Sequence, residues 1–92
     1  GAGPGANGIA YQKVAQAAAY AVQDSTDYMR NIMSMASATT GVALQKMLVE
    51  KTTDPYADII KAATQAVTDA QQIFTNVGTA SSGVVKDFDS MA

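Results

Sequence analysis

An all-α fold is what this sequence predicts: an antiparallel helical hairpin of two long helices, built from a tandem repeat and packed into an extended polymer. Three observations predict it. One phrase occurs twice at an offset of about 45 residues, and repeats of that length mark helical units that bury their faces on one another. Apolar residues recur at alternating steps of three and four through most of the chain, the spacing of a helix face. A single strong break, Lys51 to Pro55, separates the two copies.

The repeat sets the architecture. Gln16 to Ile32 reads QAAAYAVQDSTDYMRNI, and Lys61 to Val77 reads KAATQAVTDAQQIFTNV. Ala17, Ala18, Ala21, Val22, Asp24 and Asn31 correspond to Ala62, Ala63, Ala66, Val67, Asp69 and Asn76. Tyr28, Met29 and Ile32 correspond more loosely to Ile73, Phe74 and Val77. A second phrase, Ser37 to Val42 and Thr79 to Val84, follows each copy after a short deletion in the second.

Residues 1–8, GAGPGANG, are rich in glycine and predict a flexible N-terminal arm, or one that orders against a neighbouring subunit. The chain starts without methionine, as a fragment or a processed product does. Residues 9–50, the first repeat, predict one long helix. Its heptad seam is Tyr11, Val14, Ala18, Ala21, Ser25, Tyr28, Ile32, Met35, Thr39 and Val42. Val22, Met29, Met33, Ala36, Ala43 and Met47 form a second stripe beside it. Together they make an apolar face wide enough for more than one partner. Ser37 to Gly41 is its weak point, since serine, threonine and glycine are poor helix-interior residues. A continuous or slightly kinked helix is expected there, the small residues allowing close backbone approach.

Residues 51–55 predict a turn, with Asp54 and Pro55 as the helix cap and Asp58 favourable in the first turn beyond it. Residues 56–92, the second repeat, predict a helix to about Gly78. Its apolar stripe is Ile59, Ile60, Ala63, Ala66, Val67, Ala70, Ile73, Phe74 and Val77. A weak stretch follows to Gly83, and then a short terminal helix or a frayed end. The short connection predicts antiparallel neighbours.

Composition narrows the function. The chain has 92 residues and is 48% apolar, but much of that is alanine, which favours helix and buries little area. Four tyrosines, two phenylalanines and no tryptophan make a thin core for a lone domain. Helical packing between chains is the expectation. Net charge is −2 and the six basic residues are scattered, which argues against nucleic acid and against an anionic membrane surface as partners. No apolar run reaches the length of a membrane span.

With neither histidine nor cysteine, the usual general bases, metal ligands and thiol nucleophiles are missing. No catalytic, metal-ligating or cofactor-binding residue is expected. Asp24 and Asp27 share a helix face, where a solvated polar surface is the simpler reading than a cation site. GAGPGANG lacks the lysine and the preceding strand of a phosphate loop. Tyr11, Tyr20, Tyr28 and the methionines read as packing. The expected assembly interface comprises Tyr11, Val14, Ala18, Ala21, Val22, Tyr28, Met29, Ile32, Met35, Gly41 and Val42 from the first repeat. Ala66, Val67, Ile73, Phe74, Val77 and Gly83 complete it from the second.

Tyr11-Gln12, Ala15-Gln16-Ala17, Gln23 and Ala38-Thr39-Thr40-Gly41-Val42-Ala43 resemble the Reb family of bacterial R-body proteins. The similarity covers Tyr11 to Leu44, and the second copy echoes it at Gln71-Gln72 and Ser81-Ser82-Gly83-Val84. Asp24 stands where asparagine is common in that pattern, and Met29-Arg30-Asn31 replaces part of a glutamine-rich run. The resemblance implies a structural subunit of an insoluble ribbon rolled up in the bacterial cytoplasm. Such a ribbon unrolls in several cases at low pH and is tied to a killing trait through membrane rupture. Partners would be further copies of the chain or other Reb-like subunits, with membranes only an indirect target. In a chain without histidine an acid response must use carboxylates, so Asp24, Asp69 and Asp27 become the candidate pH-sensing residues. Carboxyl groups titrate near 4 in water, and burial raises that value. Competing readings are a phasin-like helical coat on polymer granules, a subunit of another helical filament, and an enzyme accessory subunit.

Overall fold

The structure, a computed structural model, describes residues 4–91, and side chains over residues 8–90. Two helices make up nearly all of it: α1, Pro4–Glu50, and α2, Tyr56–Met91. No strand occurs among the described residues.

Both helices run further than the local propensities predict. Of the flexible arm expected at residues 1–8, the first three lie outside the described residues, and residues 4–8 belong to α1. Proline is well suited to a first helical position, which fits a start at Pro4. α1 passes through Ser37 to Gly41 without a break, flanked by buried Ala36 and Ala43. α2 does not stop near Gly78 but continues to Met91. No glycine takes positive φ among the described residues, so none acts as a helix stop. Packing of Val85 and Phe88 overrides the weak intrinsic preference of Gly78 to Gly83.

The connection is closed by backbone bonds. Lys51 adopts φ 54°, and the Thr52 amide donates to the Met47 carbonyl at 3.3 Å. This is a left-handed cap, in which the amide two residues past the helix reaches back to its last turn. The Ala57 amide donates to the Thr53 carbonyl at 2.7 Å, and the Asp54 amide to the Thr52 hydroxyl at 3.3 Å. The first bond of α2 runs from the Ile59 amide to the Pro55 carbonyl at 3.3 Å. Pro55 therefore holds the cap position itself, one residue later than the sequence places it. The Asp54–Pro55 peptide is cis.

The chain divides into two compact units. The turn unit spans Asp27–Gln72 and contains the connection. The terminal unit joins the chain up to Thr26 to the chain from Ile73. In the turn unit, Ala36 and Ala43 of α1 and Ala63 and Ala70 of α2 are 8%, 3%, 8% and 1% exposed. A methyl group can be closed off to that degree only where the facing helix comes near. Met29, Ile32, Thr40 and Met47 from α1 and Tyr56, Ile60 and Val67 from α2 lie half-buried around them. The terminal unit has a different seam. Tyr11, Val14, Ala18 and Val22 of α1 and Phe74, Val77, Val85 and Phe88 of α2 are all half-buried there. The Tyr11 and Phe88 rings lie tilted with centroids 6.2 Å apart. Ser25 is buried there, its hydroxyl donating to the Val22 carbonyl at 2.8 Å.

The expected α1 seam is corrected along its length. Tyr11, Val14, Ala18 and Ser25 do lie inward, but Tyr28, Met35, Thr39 and Val42 are exposed. Val22, Met29, Ala36, Ala43 and Met47, placed in the neighbouring stripe, take over the seam. The cause is periodicity. A strict seven-residue repeat drifts by about 20° per heptad on a straight helix. A stripe that begins inward at Tyr11 has rotated out of the seam by Val42.

Candidate assembly interface

The residues expected to make contacts between subunits separate into two sets. Tyr11, Val14, Ala18, Val22, Met29, Ile32, Val67, Phe74, Val77 and Gly83 are at least partly covered by the chain itself. Ala21, Tyr28, Met35, Gly41, Val42, Ala66 and Ile73 are exposed. Among these, Tyr28, Met35, Val42 and Ile73 stand 47%, 66%, 52% and 44% open to solvent, substantial areas for apolar side chains. Some positions equated by the repeated phrases share their exposure, while Ala18 and Ala63, or Gly41 and Gly83, do not. Ser25 and Ala70 are both buried, Val22 and Val67 both half-buried, and Tyr28 and Ile73 both exposed.

Tyr28, Met35, Val42 and Val49 follow one another at seven-residue steps on α1. Ile59, Ala66 and Ile73 do so on α2. Leu44, Leu48 and Val49, beside the turn, are also exposed and were missed by the sequence reading. The i, i+4 pair Leu44 and Leu48 is a helix-face signal in the sequence, but it lies off both apolar stripes of α1.

The chain's own fold leaves its apolar material poorly covered. Among the described residues, no large side chain is fully buried. The chain exposes 6600 Å². A compact monomer of 9.5 kDa would expose about 5,000 Å². The difference, roughly 1,500 Å², compares with about 800 Å² contributed by each partner to a standard protein interface.

In the turn unit, the seam is flanked by two grooves, each floored by Ala36 and Ala63. One, about 350 Å³, has walls of Ile32, Met35, Thr39, Ile59, Ala62 and Ala66. It continues toward the turn along Val42 and Lys46. The other, about 340 Å³, is edged by Met33, Ser37, Thr40, Thr64 and Val67. Both are mainly apolar; Thr39 brings one hydroxyl group to the first, and Ser37, Thr40 and Thr64 bring three to the second.

Asp24, Asp27 and Asp69 are exposed. The Asp69 carboxylate accepts a hydrogen bond from the Gln65 side-chain amide at 2.9 Å. No group of three or more acidic residues able to hold a metal ion occurs among the described residues. Glu50, across the turn, accepts a hydrogen bond from the Tyr56 phenol; that bond, with some desolvation and the nearby negative charge, raises the phenol above its ordinary value of 10. Gly41, Gly78 and Gly83 have open space where a β-carbon would stand, so packing within the chain does not require glycine at any of them. No described helix is long and apolar enough to cross a membrane.

No family model, curated protein or solved structure matches this chain.

Proposed function

We propose that this chain is a structural subunit that self-assembles into an R-body-type protein ribbon, a homopolymer in which other Reb-like subunits can take part. The single observation that carries the reading is the distribution of side chains. The buried seam is made of alanines and Ser25, while Tyr28, Met35, Val42, Ile59 and Ile73 are left outside it. Burial of apolar area is the main force that stabilises a fold, at about 25 cal/mol per Å². A pair of helices meeting over methyl groups gains little from it. Covering the outer side chains with further copies supplies the missing part. An excess surface near twice one partner's share fits a subunit with two neighbours, and contacts that do not close on themselves give open polymers.

An acid response in this reading runs through Asp24, Asp27 and Asp69. Their exposure in the single chain leaves any burial to neighbouring copies. Where a neighbour covers a carboxylate, the neutral form is favoured, so the covering arrangement gains as pH falls. A small change per subunit, repeated along a ribbon, then shifts the polymer between two packings. Replacing Asp24 and Asp69 together by asparagine is expected to displace the pH midpoint of any extension. An unchanged midpoint in the double variant removes these residues from the switch.

Electron microscopy of the purified protein at neutral pH and near pH 5 tests the reading. Ribbons or coils that lengthen on acidification are the expected result. Static filaments would keep the structural role and remove the switch. Small oligomers at both pH values that coat apolar granules would overturn the ribbon in favour of a coat protein.

A further inference from the structure

We propose that the apolar groove of the turn unit, between Met35 and Ile59, is where two copies of this chain meet, each presenting the same face to the other. The inference deepens the self-assembly reading and rests on it. Three features of the groove select a second copy as its occupant.

The first is chemistry. No ionisable side chain lines the stretch between Met35 and Ile59, and Lys46 and Tyr56 border only its continuation toward the turn, so what seats in that stretch must be apolar and needs no compensating charge. The same face of another copy meets that requirement, and a two-fold contact places one patch against itself. The second is spacing. Met35 and Val42 on α1, and Ile59 and Ala66 on α2, repeat at seven-residue steps along the two walls. Another helix laid at about 20° keeps its own side chains in register with such a row. The third is size. The surface beyond that of a compact monomer, roughly 1,500 Å², accommodates one interface of this kind, at about 800 Å² per partner, and leaves area for the contact that extends a polymer. The groove holds about 350 Å³, room for apolar side chains such as the Met35 of a second copy.

The opposite groove is the natural control. Ser37, Thr40 and Thr64 line it with hydroxyl groups, that of Thr64 donating to the Ile60 carbonyl at 3.0 Å, so covering this groove means desolvating polar groups. The product of the proposed contact is a four-helix block in which the two turn units lie face to face. Ribbon growth then uses other surfaces of the block.

The test compares lysine substitutions in the two grooves of the full chain. Met35→Lys and Ala62→Lys place a charge in the apolar groove; Ser37→Lys and Thr64→Lys place one in the other. All four sites are exposed in the single chain, so its own hairpin tolerates the new side chain. Sedimentation mass against concentration is read beside far-ultraviolet circular dichroism. The first pair is expected to raise the concentration for pairing by about 100-fold or more, the effect of burying an unpaired charge, and the second pair by about threefold or less. A variant that no longer pairs is expected to lose helix signal over the same dilution range, so Met35→Cys and Ser37→Cys, read while the chain is assembled, supply the measurement that separates lost pairing from lost folding. The chain has no cysteine, so each carries a single thiol. A short bis-maleimide is expected to join Met35→Cys into covalent dimers and to leave Ser37→Cys largely monomeric. Equal cross-linking, or dissociation only by the Ser37 and Thr64 variants, overturns the assigned face while leaving self-assembly intact. A wild-type chain that stays monomeric at every concentration overturns both.

Discussion

The turn unit and the terminal unit are built from stretches of the same two helices, but their seams close in different ways. In the turn unit the contact is methyl against methyl, and four alanines fall below a tenth exposed. In the terminal unit Tyr11, Val14, Phe74, Val77, Val85 and Phe88 fill the seam, and none of them is fully covered. Larger side chains thus give less complete burial. A bulky residue between only two helices keeps one flank in solvent, whereas a methyl group is enclosed by the two backbones. The turn unit achieves close contact with little apolar area, and the terminal unit offers area without enclosure. Each therefore gains from a further helix laid against it.

Overpacking breaks the comparison most sharply. Ala70→Leu in the turn unit is expected to cost about 1–3 kcal/mol, because the helices must separate to admit it. Ala18→Leu in the terminal unit, where the position is half-exposed, is expected to cost under about 1 kcal/mol. Urea unfolding of the two variants, at one protein concentration, reads the difference. Equal costs would show that the two seams are equally tight.

Removing the aromatic pair probes the other side. Phe88→Ala is expected to cost about 1–2 kcal/mol, less than the loss of a fully buried phenylalanine. The effect should concentrate in faster amide exchange at the end of α2, with the turn unit's amides little changed. Uniform acceleration across both units would contradict their separate stability.

Backbone substitutions sharpen the contrast on a smaller scale. Gly41→Ala and Gly83→Ala are each expected to stabilise the helices by about 0.5–1 kcal/mol, since the added methyl meets open space. Lys51→Gly is expected to stabilise the turn unit by about 1 kcal/mol, by relieving a left-handed conformation that a side chain disfavours. Thermal unfolding is the readout for all three. A rise in the concentration needed for assembly of Gly41→Ala, against the expected gain in helix stability, would place a neighbouring copy against that glycine.

The smallest effect is a pH dependence at the turn. The Tyr56 phenol is raised above 10 by its bond to Glu50, so the neutral form is the one the fold favours. Its contribution is present in full below pH 10 and is lost as pH climbs through the raised value. Tyr56→Phe is expected to remove that alkaline slope from a plot of stability against pH. A slope that survives belongs to another group.

Much of this fold was legible because it depends on local pattern. The break at Lys51 to Pro55 stands out through a proline and a loss of apolar spacing, and the helices on either side follow from alternating steps of three and four. The reach of α2 to Met91 was not legible, since Ser81, Ser82 and Gly83 weaken a helix locally and only tertiary contact around Phe88 offsets them. The face that turns inward was legible in part. Seam and outer stripe both read as apolar on α1, and the two exchange places through a drift of a few tens of degrees that residue types alone do not reveal. α2 concentrates its apolar residues on one side far more than α1 does, so its inward row was the easier to read. Exposure of Tyr28, Met35 and Val42 required the facing helix to be in place.

The most direct test of the account is sedimentation equilibrium with circular dichroism over the same series of dilutions. The account predicts that mass and helix content fall together on dilution, because alanines in the turn unit and half-covered side chains in the terminal unit do not hold the hairpin without its neighbours. A fully helical chain of 9.5 kDa persisting at the lowest concentration would contradict it.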